Sequence, residues 1–217
     1  MYNLDPNLAK KADVIGAYIQ DTGKYVGTFL RAEKLVSANK GTDGIGFTFK
    51  DDAGRECRFD VWTRKPDGTT LSGLNQINAL MACLKIRTMQ PVTTQVKKWD
   101  NNQRAETVQE APCFVELMNK RIGLLLRAEE YEKMDGGQKT GDIGSRIGLF
   151  AIFQADTELM ASEIMSSKTK PEALAKVIPM LADKLLKKSG GNGGNRSSGS
   201  DNSMPPDSIP FDDDIPF

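Results

Sequence analysis

Residues 44–62, GIGFTFKDDAGRECRFDVW, contain two runs of alternating apolar and polar residues separated by a short turn. A period of two is typical of strands that bury one face. The intervening Asp51–Gly54 has the composition of a hairpin turn. The stretch predicts two antiparallel strands with Phe47, Phe49 and Phe59 in the core. The opposite face of the later strand carries Arg58, Asp60, Trp62 and Arg64.

A strand and a helix flank this hairpin. Residues 24–36 alternate as a strand, and Gly27 allows it to bend. One face of this strand carries Val26, Leu30 and Ala32, and the other carries Tyr25, Phe29 and Arg31. Downstream, a helix over residues 75–86 is predicted by apolar residues spaced three and four apart, namely Leu74, Ile77, Leu80, Met81 and Leu84.

The second half of the chain predicts further strands and helices. Strand patterns return at 121–131 and 146–153, with a loop at 136–148 between them. Residues 91–118 precede these strands as an insertion, in which Val92–Trp99 is either a strand or part of a basic hairpin. Helical patterns follow at 157–167 and after Pro171, where Pro179 should split the last helix.

The element order indicates a mainly β fold with helical additions. Three strands, a helix and two strands is the order of the OB-fold, a five-stranded Greek-key β-barrel. We therefore predict an OB-type domain over residues 1–188, with a helical appendage at 157–188. A different β-barrel or a β-sandwich remains an alternative. Residues 189–206 are a Gly/Ser/Asn linker predicted to be disordered, followed by an acidic tip at 207–217.

Charge is distributed unevenly along this chain, although its formal net charge is zero. Residues 189–217 contain one basic and five acidic residues, which leaves 28 Lys/Arg against 24 Asp/Glu in the body. A mildly basic body attached to an acidic tail favours a nucleic-acid partner. The chain has no run of 18 apolar residues and no signal-peptide pattern, so we expect a soluble protein of the cytoplasm without a membrane partner.

The residue types present do not support an enzyme. Histidine is absent, which excludes histidine-dependent triads and histidine metal sites. The three cysteines, Cys57, Cys83 and Cys113, lack CxxC spacing and are predicted to be free thiols. Gly136–Gly141 resembles a phosphate loop but has Gln138 where a Walker A motif needs glycine. We predict no catalytic residue, no cofactor and no metal.

The chain ends in Asp212-Asp213-Asp214-Ile215-Pro216-Phe217, three carboxylates followed by an apolar tip. An extended segment of this kind suits a hydrophobic slot surrounded by Lys or Arg. The ending resembles the C-terminal tip of bacterial single-stranded DNA-binding proteins. That resemblance implies recruitment of replication or repair proteins such as a DNA polymerase, helicase, primase or nuclease. A solvated acidic tail is the alternative, and Ile209–Phe211 is an upstream copy of the last three residues.

The body resembles a family of phage single-stranded DNA-binding proteins. The likeness runs from about residue 2 to 188 and is carried by five stretches: 23–29, 31–33, 41–44, 73–81 and 120–126. It implies an OB-type domain that coats unwound DNA during phage replication, recombination or repair, in the bacterial host cytoplasm. The body departs in detail from the bacterial host protein's own domain. The oligomeric state, including a homo-oligomer, therefore stays open.

Binding to single strands without sequence preference needs cations for phosphates and flat rings for bases. Arg58, Trp62 and Arg64 line up at period two on one predicted strand and are the first candidates. Lys97, Lys98 and Trp99 are a second cluster of the same chemistry. The weaker candidates are Tyr25, Arg31, Lys50, Arg121 and Arg127. Alternatively, Trp62 and Trp99 cap the ends of the core.

These patterns together predict a non-enzymatic, sequence-independent single-stranded DNA-binding protein. Three other functions are kept. The first is a metal-dependent nuclease, with carboxylate pairs Asp51-Asp52 and Glu129-Glu130 holding Mg²⁺. The second is a replisome adaptor with little DNA affinity. The third is a protein that binds or anneals double-stranded DNA.

Overall fold

The structure is a computed structural model that describes residues 17–100, 103–135 and 138–186. The predicted linker at 189–206 and the acidic tip at 207–217 lie outside the described residues. The strands are β1 Gly23–Val36, β2 Asp43–Asp51, β3 Glu56–Arg64, β4 Val92–Asp100, β5 Ala105–Cys113, β6 Arg121–Asp135 and β7 Gln138–Phe153. The helices are α1 Ser72–Cys83, α2 Ala161–Met165 and α3 Ala173–Val177, followed by a 3₁₀ turn at Ile178–Met180. The chain is therefore mainly β, as predicted.

Seven strands form one antiparallel sheet, in which five strands pair in the order β3-β2-β1-β6-β7. The hairpin β4–β5 joins the sheet where Cys113 of β5 pairs with Glu33 of β1. The helix α1 lies between β3 and the later strands in the chain, as the sequence predicted. Within the described residues no backbone ladder joins the end strands β3 and β7, so the sheet is open. The described helices include none that is long and apolar enough to cross a membrane.

Phenylalanines from β1, β2 and β3 form the centre of the core. The rings of Phe29 and Phe47 lie 4.6 Å apart, and those of Phe47 and Phe59 lie 5.4 Å apart. Phe49 is also buried, which confirms the predicted core positions of Phe47, Phe49 and Phe59. α1 adds Ile77 and Leu80 to this cluster. Each fully buried ring contributes about 1.5–3 kcal/mol to stability.

A β-bulge in β1 makes the predicted faces of that strand wrong. Phe29 pairs with Phe49 and Arg31 pairs with Thr48, so Leu30 is an extra residue that breaks the alternation. Tyr25 and Phe29 consequently share the core face with Ala32. Gly27 is required here for close strand approach, since a Cβ would meet the carbonyl oxygen of Lys50 at 2.0 Å.

After β7, Ala161 and Ile164 of α2 pack against this core, whereas the residues of α3 cover the sheet on its other side. Leu174 of α3 packs with Leu125 and Phe153. The predicted split at Pro179 is confirmed, because α3 ends and Pro179 lies in the 3₁₀ turn. The predicted helix does not continue beyond that turn. Lys184 instead forms a bridge with Glu129 of β6, in which Lys184 N donates to Ala128 O at 2.9 Å. This bridge lies just beyond Leu126, where the pairing of β6 with β1 ends.

Two regions between the predicted strands are themselves hairpins. β4 and β5 pair from Val92↔Cys113 to Asp100↔Ala105, which confirms the hairpin reading of this insertion. The predicted loop at 136–148 is wrong, because β7 begins at Gln138 and pairs along β6. Glycines at 144 and 148 made this stretch look irregular. They allow close contact with the Tyr131 ring and the Glu129 carboxylate instead.

Candidate nucleic-acid interface

The hairpin register places three rows of side chains on the face of β1, β2 and β3 opposite the phenylalanines. Because Phe47, Phe49 and Phe59 point into the core, their neighbours in each strand point away from it. We call this surface the outer face. Its rows are Arg31–Thr48–Arg58, Glu33–Gly46–Asp60 and Leu35–Gly44–Trp62.

Trp62 lies across the backbone of β2 at one end of the outer face. A Cβ on Gly44 would come within 2.7 Å of Cε3 of the Trp62 ring. The side chain is half-buried, so it packs against β2 and also reaches solvent. Trp62 therefore lies on the outer face and is not a cap on the phenylalanine core.

The hairpin β4–β5 is attached to the outer face through Arg31 and Glu33. Arg31 Nη1 donates to the carbonyl oxygen of Lys97 at 3.0 Å, and Lys98 Nζ lies 2.5 Å from Glu33 Oε1. Burial lowers the pKa of Arg31, and the positive charge of Arg58 lowers it further. The structure thus brings together cations that the sequence predicted separately on two strands and an insertion.

Two further charges act on this face. Burial raises the pKa of Asp60 to about 6, while the charges of Arg146, Arg31 and Arg58 oppose that rise. Arg146 comes from β7, which is the end strand opposite β3 in the open sheet. Its guanidinium also lies over the Tyr131 ring. The sequence pattern assigns Arg146 no role, because this residue lies where the expected loop at 136–148 overlaps the start of the expected strand at 146–153.

Thr48 is the other residue that the sequence reasoning missed. It is 9% exposed and lies in the same row as Arg31 and Arg58. The register of the Asp51–Gly54 hairpin could have identified it, since that turn sets Thr48 opposite Arg58. No other feature of the sequence indicates that this threonine is part of the candidate site.

The remaining candidates of the first two groups are exposed. Arg64 lies at the exposed end of β3. It pairs with Asp43 across a register shift that follows the Gly44–Trp62 pair, so the predicted period-two alignment of Arg58, Trp62 and Arg64 is interrupted before Arg64. Lys97 is exposed on β4, and the Trp99 side chain on the same strand is 52% exposed. Both residues lie within two positions of Lys98, which contacts the outer face.

Three of the weaker candidates are basic residues with an acidic partner. Lys50 Nζ lies 3.1 Å from Glu56 Oε1, and Arg121 Nη2 lies 2.6 Å from Asp52 Oδ2. Arg127 Nε donates to Glu129 Oε1 at 2.7 Å, and its guanidinium lies over the Phe150 ring. The Lys50–Glu56 and Arg121–Asp52 pairs are exposed and contribute little stability, so these two cations can exchange their partners for other anions, whereas Glu129 of the third pair is buried.

Tyr25 is placed differently from the prediction. The residue is 8% exposed, and its hydroxyl donates to the carbonyl oxygen of Asp21 at 2.8 Å. Arg55 lies over its ring. Burial raises the pKa of Tyr25, and Arg55 acts in the opposite direction. The bulge at Leu30 is the physical reason, since it turns the first half of β1 towards the core. Tyr25 has no free ring face on which a base could stack.

Three of the four carboxylates that suggested a nuclease are paired with arginines, and the fourth, Glu130, accepts from the backbone N–H of Leu186 at 3.1 Å. Asp51 Oδ2 lies 2.7 Å from Arg55 Nη2, while Asp52 pairs with Arg121. Glu129 accepts from Arg127 and also lies 3.7 Å from Arg146. In the part of the chain that the structure describes, no three acidic or cysteine side chains are grouped to hold a metal ion.

The predicted partner-binding tip, Asp212, Asp213, Asp214, Ile215, Pro216 and Phe217, lies outside the described residues. Comparisons of the chain with protein-family models and with curated proteins find no match.

Proposed function

We propose that this protein is a non-enzymatic single-stranded DNA-binding protein that contacts DNA through the outer face and the hairpin β4–β5. The observation that carries the proposal is the placement of Arg31, Arg58 and Lys98 on the same face of the sheet as Trp62. Cations that hold the backbone and an aromatic ring available to bases are the two requirements of sequence-independent binding.

We also propose that the five-stranded sheet is a partly open OB-type barrel. The order β3-β2-β1-β6-β7 supports this, because β1 pairs with both its successor β2 and the fourth strand of the barrel, β6. The hairpin β4–β5 is then an insertion before that fourth strand. OB-folds bind oligonucleotides on the face of their second and third strands, which here carry Thr48, Arg58 and Trp62.

The acidic tip supplies the second half of the proposed function. The sequence Asp212–Phe217 resembles a recruiting tip, and we propose that it binds a replication or repair protein. The likeness of the body to phage proteins supports a role on unwound DNA during phage replication, recombination or repair. The DNA-binding and recruiting parts are then separable by mutation.

The deciding experiment is a titration of the full chain with fluorescent oligo(dT) over a series of salt concentrations. We expect binding that weakens linearly in log K against log salt, with a slope of about −0.7 for each phosphate contacted. Quenching of tryptophan fluorescence should accompany binding. The matched control is Lys168→Gln, which removes an exposed cation paired with Glu172 on the helical layer and should bind as wild type.

Three outcomes of this experiment would contradict the proposal. Absence of binding by the folded full chain would favour an adaptor with little DNA affinity. Equal competition by double-stranded DNA would favour a protein that binds or anneals duplexes. Degradation of the oligonucleotide on addition of Mg²⁺ would favour a nuclease.

A further inference from the structure

The hairpin β4–β5 has one face that no described part of the chain covers. Val96 and Ala111 are buried on the side towards the body, where they pack with Cys113. Because successive side chains of a strand point to opposite sides, the odd-numbered residues of β4 and the even-numbered residues of β5 point away from the body. Four of these exposed residues lie next to one another and are called the hairpin face: Lys97, Trp99, Glu106 and Val108.

The hairpin face combines exposed apolar side chains with both signs of charge. Trp99 is 52% exposed and Val108 is 62% exposed. Lys97 pairs with Val108 across the two strands, and Trp99 pairs with Glu106, so the four residues form a square. The apolar residues occupy one diagonal of this square, and Lys97 and Glu106 occupy the other.

The charges on this face suit a protein partner better than a nucleic acid. Glu106 lies directly opposite Trp99, and Glu110 is exposed on the same side of the hairpin. Their carboxylates would repel a phosphate backbone that approached the Trp99 ring. Within the described residues, neither Lys97 nor Glu106 forms an ion pair through its side chain, so both charges are available to a partner.

We propose that the hairpin face binds the hairpin face of a second copy of this chain. A two-fold axis along the Trp99–Val108 diagonal would place each apolar residue against its own counterpart. The same axis exchanges Lys97 with Glu106, so the dimer would form this ion pair twice. A two-fold dimer requires such a self-complementary surface, because one patch must serve both copies. The patch is small, so we expect the association to be weak.

The test is sedimentation equilibrium of the full chain from micromolar to millimolar concentration, without DNA. The wild type should change from monomer to dimer as its concentration rises. Lys97→Glu and Glu106→Lys should each weaken dimerisation about tenfold or more, because each converts both ion pairs into like-charge contacts. An equimolar mixture of these two variants should dimerise as wild type, since each supplies the charge that the other has lost.

A matched control is Glu110→Lys, which changes an exposed residue of the same strand and side but outside the hairpin face. The double variants Lys97→Glu/Glu106→Lys and Lys97→Glu/Glu110→Lys have the same net charge. The first should dimerise as wild type, and the second should stay as weak as Lys97→Glu. Trp99→Ala should also weaken dimerisation, and its melting temperature should stay near that of wild type because the ring is exposed.

Three results of this experiment would overturn the proposed dimer. The first is a wild type that stays monomeric at millimolar concentration. The second is a mixture of Lys97→Glu and Glu106→Lys that associates no better than either variant alone. If that mixture stays monomeric and Glu106→Lys also binds oligo(dT) more tightly, the hairpin face belongs to the DNA site. The third is equal recovery in both double variants, which would assign the association to net charge.

The dimer and the proposed function can fail separately, because the sedimentation experiment contains no DNA. A folded wild type that dimerises through the hairpin face and does not bind oligo(dT) would defeat the proposed function alone. A wild type that binds oligo(dT) and stays monomeric at millimolar concentration would defeat the dimer alone.

Discussion

Replacing Gly44 by alanine should displace Trp62 from the outer face. The new methyl group would lie 2.7 Å from Cε3 of the ring and 3.0 Å from the Val61 carbonyl oxygen, whereas ordinary contacts begin at 3.4 Å. The ring must therefore move by about 0.7 Å, the difference between 3.4 and 2.7 Å. The backbone of Trp62 cannot follow, because it pairs with β2 and because Gly73 of α1 packs against its carbonyl oxygen.

The cost of this displacement has two opposing parts. Overpacking typically costs about 1–3 kcal/mol, and turning a side chain away from its rotamer costs about 0.5–1.5 kcal/mol. Replacing glycine with alanine lowers the conformational entropy of the unfolded chain, which stabilises the folded protein by about 0.4–1 kcal/mol. We expect a net loss of about 0.5–4 kcal/mol in the free energy of unfolding.

The assay combines denaturant unfolding with tryptophan emission in the folded protein. Gly44→Ala should be less stable, shift the emission to longer wavelength and weaken oligo(dT) binding. Gly46→Ala is the control on the same strand and face. Its methyl group would meet the flexible end of Leu35 at 2.8 Å and the Asp60 carboxylate at 3.0 Å, so the emission of Trp62 should stay unchanged. Unchanged emission and stability in Gly44→Ala would refute the packing of Trp62 on Gly44.

Three further predictions concern charge and the C-terminal tip. Arg58→Gln should flatten the salt dependence of DNA binding by about 0.7 in log–log slope; an unchanged slope in a salt-series titration would remove Arg58 from the phosphate contacts. Because burial raises the pKa of Asp60 to about 6, its proton is held more tightly in the folded state, so its contribution to stability falls as pH rises from about 4 to 6. The melting temperature of Asp60→Asn should therefore fall less than that of wild type as pH rises over this window. Parallel pH profiles of the two proteins would contradict the raised pKa of Asp60. Deleting Phe217 alone should leave DNA affinity unchanged and abolish capture of a replication or repair partner. Retained capture in a pull-down would assign the interaction to Ile209–Phe211 or to charge.

The local pattern of the sequence was sufficient to predict the central hairpin. Alternation at Phe47, Phe49 and Phe59 decides which face is buried, because successive side chains of any strand point to opposite sides. The turn at Asp51–Gly54 then sets the register, so Thr48 must oppose Arg58. These features depend on residues close together in the chain, and so does the helix before the later strands.

Tertiary pairing decided the features that the sequence pattern misassigned. The bulge at Leu30 turns Tyr25 into the core, and pairing with β6 converts the expected loop before Arg146 into a strand. Arg31 meets the Lys97 carbonyl because a distant hairpin folds onto the outer face. Contacts between such separated segments depend on how whole strands pack together. The sequence by itself determined the residue types of the candidate site, and only the tertiary structure decided which of them lie together.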